Sequence, residues 1–258
     1  MQYSKAITRL PGRNFPDGLT TAESGSRPDL RKALAQHAEY CAALTACGLD
    51  VTVMGPDENH PDGTFVEDTF VIADGVAIAT RPGASTRLGE VAAVAATLSA
   101  FIAKHEQIEA PGTVDGGDVC QADDHFLIGI SSRTNEAGAA QLGAILARHG
   151  FTASTLDIRG NPTLLHLKSG IAYLGERRFV VVPGFPLIPR TSDFERIEVA
   201  PGEAYGANCI RINDEVLIAA GHPVLEATLS SLKYRVRRLQ MSEFAKMDGG
   251  LSCLSLRF

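Results

Sequence analysis

The fold the sequence predicts is a closed α/β ring of five repeated strand–strand–helix–strand modules. Three observations predict it. Tight hairpin signals recur along the chain, most are followed by a helical segment and one further strand, and both ends of the chain read as strands. In order, residues 3–8 form the first strand. A helix over 29–47 follows from Leu30, Ala33, Leu34, Cys41 and Leu44 at helical spacing, with Gly48 as its stop. Strands 70–73 and 76–80 flank Asp74-Gly75, a strong hairpin signal. The loop Arg81-Pro82-Gly83, an Ala/Val/Leu-rich helix over 89–101 and a strand over 107–110 complete that module. Strands 118–121 and 125–130 flank Ala122-Asp123-Asp124; the helix over 135–149 then opens on Asn135 as N-cap, carries Glu136 in its first turn and stops at Gly150. A strand over 152–158 follows. Strands 171–174 and 179–182 flank Gly175-Glu176-Arg177, and strands 208–212 and 216–219 flank Asn213-Asp214. A short helix over 224–232, a strand over 234–239 and a terminal strand over 251–258 end the chain.

The period is roughly forty to fifty residues, the range of propeller-like arrays. Four hairpins are internal, so the fifth module is expected to be split between the two ends, closing the ring and removing free sheet edges. Residues 1–258 are then one domain. A doubly wound sheet is the alternative, but it does not need so many tight hairpins. A ring of this kind has an axial cavity where loops from different modules converge.

Composition narrows the function. The 258 residues are 45% hydrophobic and 21% charged, as in ordinary globular proteins, and the net charge is −6. A mildly acidic chain has no nucleic-acid footprint and suits a small cationic substrate better than an anionic one. No apolar run is long enough to span a bilayer, and the N-terminal residues lack the apolar core of an export signal, so a cytoplasmic location is expected. Cys41, Cys47, Cys120, Cys209 and Cys253 are odd in number and show no Cys-x-x-Cys spacing, and the seven histidines are scattered singly. Neither a disulfide framework nor a metal site is expected. No glycine-rich nucleotide loop is present, and no cofactor is expected.

Four segments hold the residues that could do chemistry. Cys253 follows Asp248-Gly249-Gly250 on the terminal strand, where a sharp turn would position it. His166 stands between leucines at a strand start. Asp115-Gly116-Gly117-Asp118 sets two carboxylates around two glycines. His60-Pro61-Asp62-Gly63-Thr64-Phe65-Val66-Glu67-Asp68 places three acids within seven residues. Arg87 and Arg133 each lie between a strand and a helix. Singly, each has a plain explanation: a core cysteine, a core histidine, a turn, solvated carboxylates and surface arginines.

Together and in this order they resemble the dimethylarginine dimethylaminohydrolases, members of the guanidino-group-modifying superfamily with the five-bladed α/β-propeller, or pentein, fold. The resemblance runs from Asp17-Gly18-Leu19-Thr20 to Ser252-Cys253-Leu254-Ser255-Leu256-Arg257-Phe258. It includes Phe65-Val66-Glu67-Asp68, Thr80-Arg81-Pro82-Gly83-Ala84, Glu109-Ala110-Pro111-Gly112-Thr113, Ser132-Arg133-Thr134-Asn135 and His166-Leu167-Lys168. The resemblance implies Cys253 as nucleophile, His166 as general acid and base, and Asp115 as the carboxylate that orients the histidine. Some bacterial members carry glutamate at that last position, and the mammalian-type members resemble this chain there. Leu19, Asp62, Glu67, Asp68, Arg87, Arg133 and Met247 fall where the family contacts substrate.

The implied reaction converts Nω-methylated arginine to citrulline and an amine without cofactor, nucleic acid or membrane; a homodimer stays open. A thiolate can attack the resonance-stabilised guanidinium carbon, Asp62 and Asp68 would hold the guanidinium, and Arg87 and Arg133 the α-carboxylate. Arginine deiminases and amidinotransferases of the same superfamily are the alternatives. The former carry His-x-Asp where this chain has Lys168, which is expected to leave room for N-methyl groups. A non-catalytic propeller such as a ribosome-binding factor is more remote, because it would lack the Cys/His/Asp set and favour basic patches.

Overall fold

The computed structural model describes residues 2–21, 27–161, 163–186 and 189–258. The first blade begins with β1 (Lys5–Arg9), crosses through helix α1 (Leu30–Ala46) and returns as β2 (Asp50–Met54) parallel to β1. The second is β3 (Phe70–Ala73), β4 (Val76–Ala79), α2 (Glu90–Leu98) and β5 (Lys104–Gln107). The third repeats this as β6 (Val119–Ala122), β7 (His125–Ile130), α3 (Glu136–Arg148) and β8 (Thr152–Asp157). The fourth has β9 (Ile171–Tyr173), β10 (Arg178–Val181) and β11 (Glu195–Glu198), joined by a 3-10 turn at Pro189–Thr191. The fifth has β12 (Ile210–Ile212), β13 (Glu215–Ala219), α4 (Pro223–Ser231) and β14 (Arg235–Leu239). A one-turn helix α5 (Ser242–Ala245) leads to β15 (Leu256–Arg257), which pairs antiparallel with β1. Every blade is a three-stranded sheet whose central strand is antiparallel to one neighbour and parallel to the other.

Side chains, not sheet hydrogen bonds, join the blades. The central strands are buried on both faces, and alternate residues point to opposite neighbours. On β4, Ala77 packs with Ile7 and Leu256 of the first blade, whereas Val76 and Ile78 pack with Phe126 and Ile128 of the third. On β7, Leu127 turns instead to Ile171 and Val180 of the fourth. On β13, Val216 and Ile218 join that same fourth-blade cluster, while Leu217 and Ala219 pack with Ala6 and Leu44 of the first. Following these faces around the molecule returns to the starting blade, so the ring is closed by core packing.

The blades therefore keep their edges, contrary to the expectation that closure removes them. The outer parallel strands carry the charge that guards such edges: β5 reads Lys-His-Glu-Gln and β14 Arg-Val-Arg-Arg-Leu. That polarity hid the strand at 195–198 and shifted the expected 107–110 strand three residues too far along, whereas the strand at 50–54, Asp-Val-Thr-Val-Met, is apolar enough to be seen and was not expected. The terminal strand over 251–258 is also corrected. Residues Ser252–Leu254 form a 3-10 turn, and only Leu256–Arg257 pair as strand.

The first and fifth blades are latched by Asn213, in left-handed conformation at φ 52°. Its amide accepts from Tyr3 N at 2.8 Å and donates to Tyr3 O and Cys47 O, both at 3.0 Å. Asn213→Ala removes three hydrogen bonds and puts alanine in the left-handed region, which asparagine tolerates better. The expected loss is about 3 kcal/mol of stability, read from urea unfolding midpoints.

Candidate active site

Loops between the blades converge at one end of the axis. Cys253 sits in the 3-10 turn at Ser252–Leu254, its amide bonded to Gly250 O at 3.3 Å and its sulfur receiving Gly250 N–H at 3.4 Å. His166 ends the loop before the 3-10 turn at Leu167–Ser169. Its Nε2 meets Asp115 Oδ2 at 3.0 Å, and Asp115 Oδ1 accepts from Gly83 N at 2.8 Å, which fixes the carboxylate. Asp118, fully buried, holds the following residue by accepting from Leu167 N at 2.9 Å.

The two glycines between these aspartates have a steric cause. A Cβ on Gly116 would lie 2.0 Å from Glu67 O, and one on Gly117 would lie 2.8 Å from His166 Nδ1. The chain threads between the Glu67 backbone and the imidazole, where only glycine fits.

A pocket of about 150 Å³ is lined by Leu19, Thr20, Thr21, Asp62, Phe65, Asp68, Arg87, Arg133, Leu165, His166, Met247, Asp248, Gly249 and Cys253. Eight of the ten residues singled out in the sequence thus share one wall. Asp115 stands one hydrogen bond behind, against His166. Glu67 is the exception. Successive residues of the 3-10 turn at Val66–Thr69 diverge, so Asp68 faces the pocket while Glu67 turns to the far side. There it meets Lys168 Nζ at 2.6 Å, Arg257 Nη2 at 3.1 Å and Ser252 Oγ at 2.7 Å, at the head of a second axial cavity of about 140 Å³. Lys168 shares that side and does not line the pocket, so its ammonium is not the wall that sets room for methyl groups.

Arg87 also has a different task from the one expected. Its guanidinium is buried and spent on protein groups: Asp68 Oδ2 at 2.6 Å, Glu90 Oε2 at 2.8 Å and Phe65 O at 3.0 Å. It holds Asp68 in place and has no fork to offer a ligand carboxylate. Arg133 is half-buried, lines the pocket and makes no hydrogen bond or ion pair with its guanidinium among the described residues. The Asp62 carboxylate accepts only from Leu19 N, at 3.0 Å, among those residues. Phe65, Leu165 and Asp248 are wall residues the sequence reading did not single out. Phe65 stands inside a quoted motif, and Asp248 receives Thr21 N–H and Thr21 Oγ–H at 2.6 and 2.8 Å, tying the loop before Ala22 to the cysteine loop.

The electrostatics follow from burial and crowding. Burial raises the Cys253 thiol, Glu67 and Asp68 push the same way, and it stands at about 12. Burial alone would lower His166, but Asp68, Asp118 and Asp115 outweigh it and raise the imidazole to about 9. Burial would raise Asp68; His166, Arg87 and Gly117 N together hold it well below the usual carboxylate range. Asp62 is raised, chiefly by burial. The resting site is a neutral thiol and an imidazolium among carboxylates. Asp68, Asp115 and His166 bring donor atoms within 4.8 Å of one another, the one such group of three among the described residues that could hold a metal. Gly117 N, Arg87 and Gly83 N already bind their oxygens, so the group reads as a proton-holding network.

No family model matches the chain. It is 44% identical over 257 residues to the N(G),N(G)-dimethylarginine dimethylaminohydrolase of Pseudomonas aeruginosa, covering 99% of this chain and 100% of that protein. It is 33% identical over 258 residues to the protein of that name from Streptomyces coelicolor, covering 100% and 98%. The solved structure of a cysteine-to-serine variant of the Pseudomonas enzyme complexed with citrulline superposes with a TM-score of 0.95 at 43% identity, over the whole of both chains. The N-terminal domain of a cyanobacterial arginine dihydrolase shares the fold, with a TM-score of 0.88 at 17% identity over 100% of this chain and 97% of that one.

Two outcomes are expected. Arg87→Ala leaves the buried Asp68 and Glu90 carboxylates uncompensated and should cost about 3–5 kcal/mol of stability, seen as a lower denaturation midpoint. His166 titrates higher folded than unfolded, so its contribution is full below pH 6.5 and is lost as pH rises through about 9. Urea midpoints should fall over that window in the wild type, and His166→Asn should flatten the fall.

Proposed function

Because the chain belongs to the dimethylarginine dimethylaminohydrolase family, we propose that it hydrolyses Nω-methylated arginines to citrulline and methylamine or dimethylamine, with Cys253 as nucleophile. The observation that carries this reading is one pocket lined by a thiol, an imidazolium, three carboxylates and an uncommitted guanidinium. Those groups match a substrate that is cationic at one end and anionic at the other.

Arg133 takes the α-carboxylate at one end of the substrate. Asp62 and Asp68 take the guanidinium at the other, by charge-assisted hydrogen bonds. The bound cation favours the thiolate of Cys253, whose proton leaves to water; without it the thiol stays protonated at neutral pH. The sulfur attacks the guanidinium carbon and forms a C–S bond. His166, already protonated at neutral pH, gives its proton to the departing amine as the C–N bond breaks, leaving an S-alkylthiouronium on Cys253. The neutral imidazole then takes a proton from water, whose oxygen attacks the same carbon. Breaking the C–S bond releases citrulline and the sulfur. Asp115 keeps Nε2 of His166 engaged throughout and so presents Nδ1 as the working nitrogen.

A citrulline assay on arginine and its monomethyl, asymmetric dimethyl and symmetric dimethyl forms tests the reading. The asymmetric and monomethyl forms should show the highest kcat/KM. Symmetric dimethylarginine should be poorer by on the order of ten- to a hundredfold, because a methyl replaces a donor that Asp62 or Asp68 needs. A preference for plain arginine would overturn the substrate assignment. Cys253→Ser should abolish turnover while leaving the unfolding midpoint close to that of the wild type, since serine without an adjacent base is a weak nucleophile.

A further inference from the structure

Behind the pocket, two catalytic segments are tied directly, and a third through them, by one side chain from a blade that contributes nothing to the pocket wall. Asn208, buried just before β12, donates from Nδ2 to Lys168 O at 2.8 Å and to Ser252 Oγ at 3.1 Å, and accepts at Oδ1 from Ser252 N at 3.0 Å. Ser252 Oγ donates to Glu67 Oε2, and Lys168 Nζ meets Glu67 Oε1. The contacts close a ring: Asn208, Ser252, Glu67, Lys168 and back to Asn208. Its members adjoin the reacting groups in sequence. Ser252 precedes Cys253, Lys168 lies two residues after His166, and Glu67 precedes Asp68.

We infer that Asn208 is a positioning residue that sets the nucleophile turn against the general-acid segment; this rests on the function proposed above. The partners dictate the residue type. Lys168 O can only accept and Ser252 N can only donate, so the site needs a donor and an acceptor on one short planar group. Aspartate supplies no donor at neutral pH and alanine supplies neither. The ring also explains Gly250, where a Cβ would fall 2.4 Å from Asn208 Oδ1. Asn208 lines the rear cavity and not the pocket, so substrate contacts do not include it.

The test compares Asn208→Ala and the near-isosteric Asn208→Asp with wild type, by steady-state kinetics, calorimetric binding of citrulline and urea unfolding. For Asn208→Asp, kcat should fall by on the order of ten- to a hundredfold, with KM and citrulline affinity within about threefold of wild type. Its kcat relative to wild type should recover as pH drops from 8 to 6, because a protonated carboxyl regains a donor toward Lys168 O. A kcat within about threefold of wild type overturns the inference, as does an equal loss of citrulline affinity. Asn208→Ala should lose at least as much kcat, and normal turnover by a folded Asn208→Ala overturns the inference equally. If the wild type itself makes no citrulline from methylarginines, the proposed function falls, and iodoacetamide alkylation of Cys253 followed by peptide mass spectrometry decides the inference alone. Asn208→Ala adds no charge, so a displaced nucleophile turn is what should change its Cys253 alkylation rate several-fold from wild type at pH 8; an unchanged rate in a folded Asn208→Ala overturns the inference.

Discussion

The Glu67 carboxylate is the constraint on which the centre of this molecule depends. It is buried at the axis, and a carboxylate there is tolerable only if it is paired and hydrogen-bonded. Its partners come from separate blades: Lys168 from the fourth, and Ser252 and Arg257 from the segment that completes the first. Arg257 in turn donates to Ser255 Oγ, which meets the buried Tyr40 hydroxyl of α1 at 2.7 Å. The charge is satisfied only when all these segments arrive together, so the condition that stabilises the carboxylate also assembles the pocket on its other side. Two cations against one carboxylate leave a net positive base beneath a pocket whose wall sets Asp62, Asp68 and Asp248 against Arg87, Arg133 and the protonated His166.

The carboxylates among those groups give the pocket its preference for a cationic ligand. With Asp62 and Asp68 in the wall and the thiol near 12, a neutral ligand would occupy the site without creating a nucleophile. A guanidinium supplies the missing positive charge and is itself the electrophile. The raised imidazole works in the same direction, since in the proposed mechanism His166 starts with the proton that the leaving amine requires. The inverted resting protonation, thiol neutral and histidine charged, follows from carboxylate crowding and from burial.

Much of this was legible in the sequence, for a specific reason. The central strands are buried on both faces and so read as short apolar runs, and the tight turns at Asp74-Gly75 and Asn213-Asp214 announce the hairpins. The outer strands β5, β11 and β14 carry polar residues at an exposed edge, so their periodicity is weak and β11 passed unseen; β2, Asp-Val-Thr-Val-Met, carries a strand signal that went unread. At the site, motif order identified the pocket residues, but spacing could not say which way each side chain turns. Glu67 and Asp68 are adjacent and face opposite cavities. Arg87 and Arg133 look alike in sequence, yet the first is consumed by Asp68 and Glu90 and the second is open. Asn208 gave no signal, because its role exists only once Lys168 and Ser252 are neighbours.

The pairing of β15 with β1 also bears on the order in which the protein can be made. Ala6 meets Arg257 and Ile7 meets Leu256, partners roughly 250 residues apart in the chain, a contact of the slowest-forming kind. A growing polypeptide can fold its second, third and fourth blades while β1 waits with one edge unpaired. The segment that fills that edge is the one carrying Cys253, so synthesis delivers ring closure and the proposed nucleophile in the same step. Until then the open edge of β1 is a template for the equivalent segment of another chain, and crowding of nascent chains would favour exchange between copies.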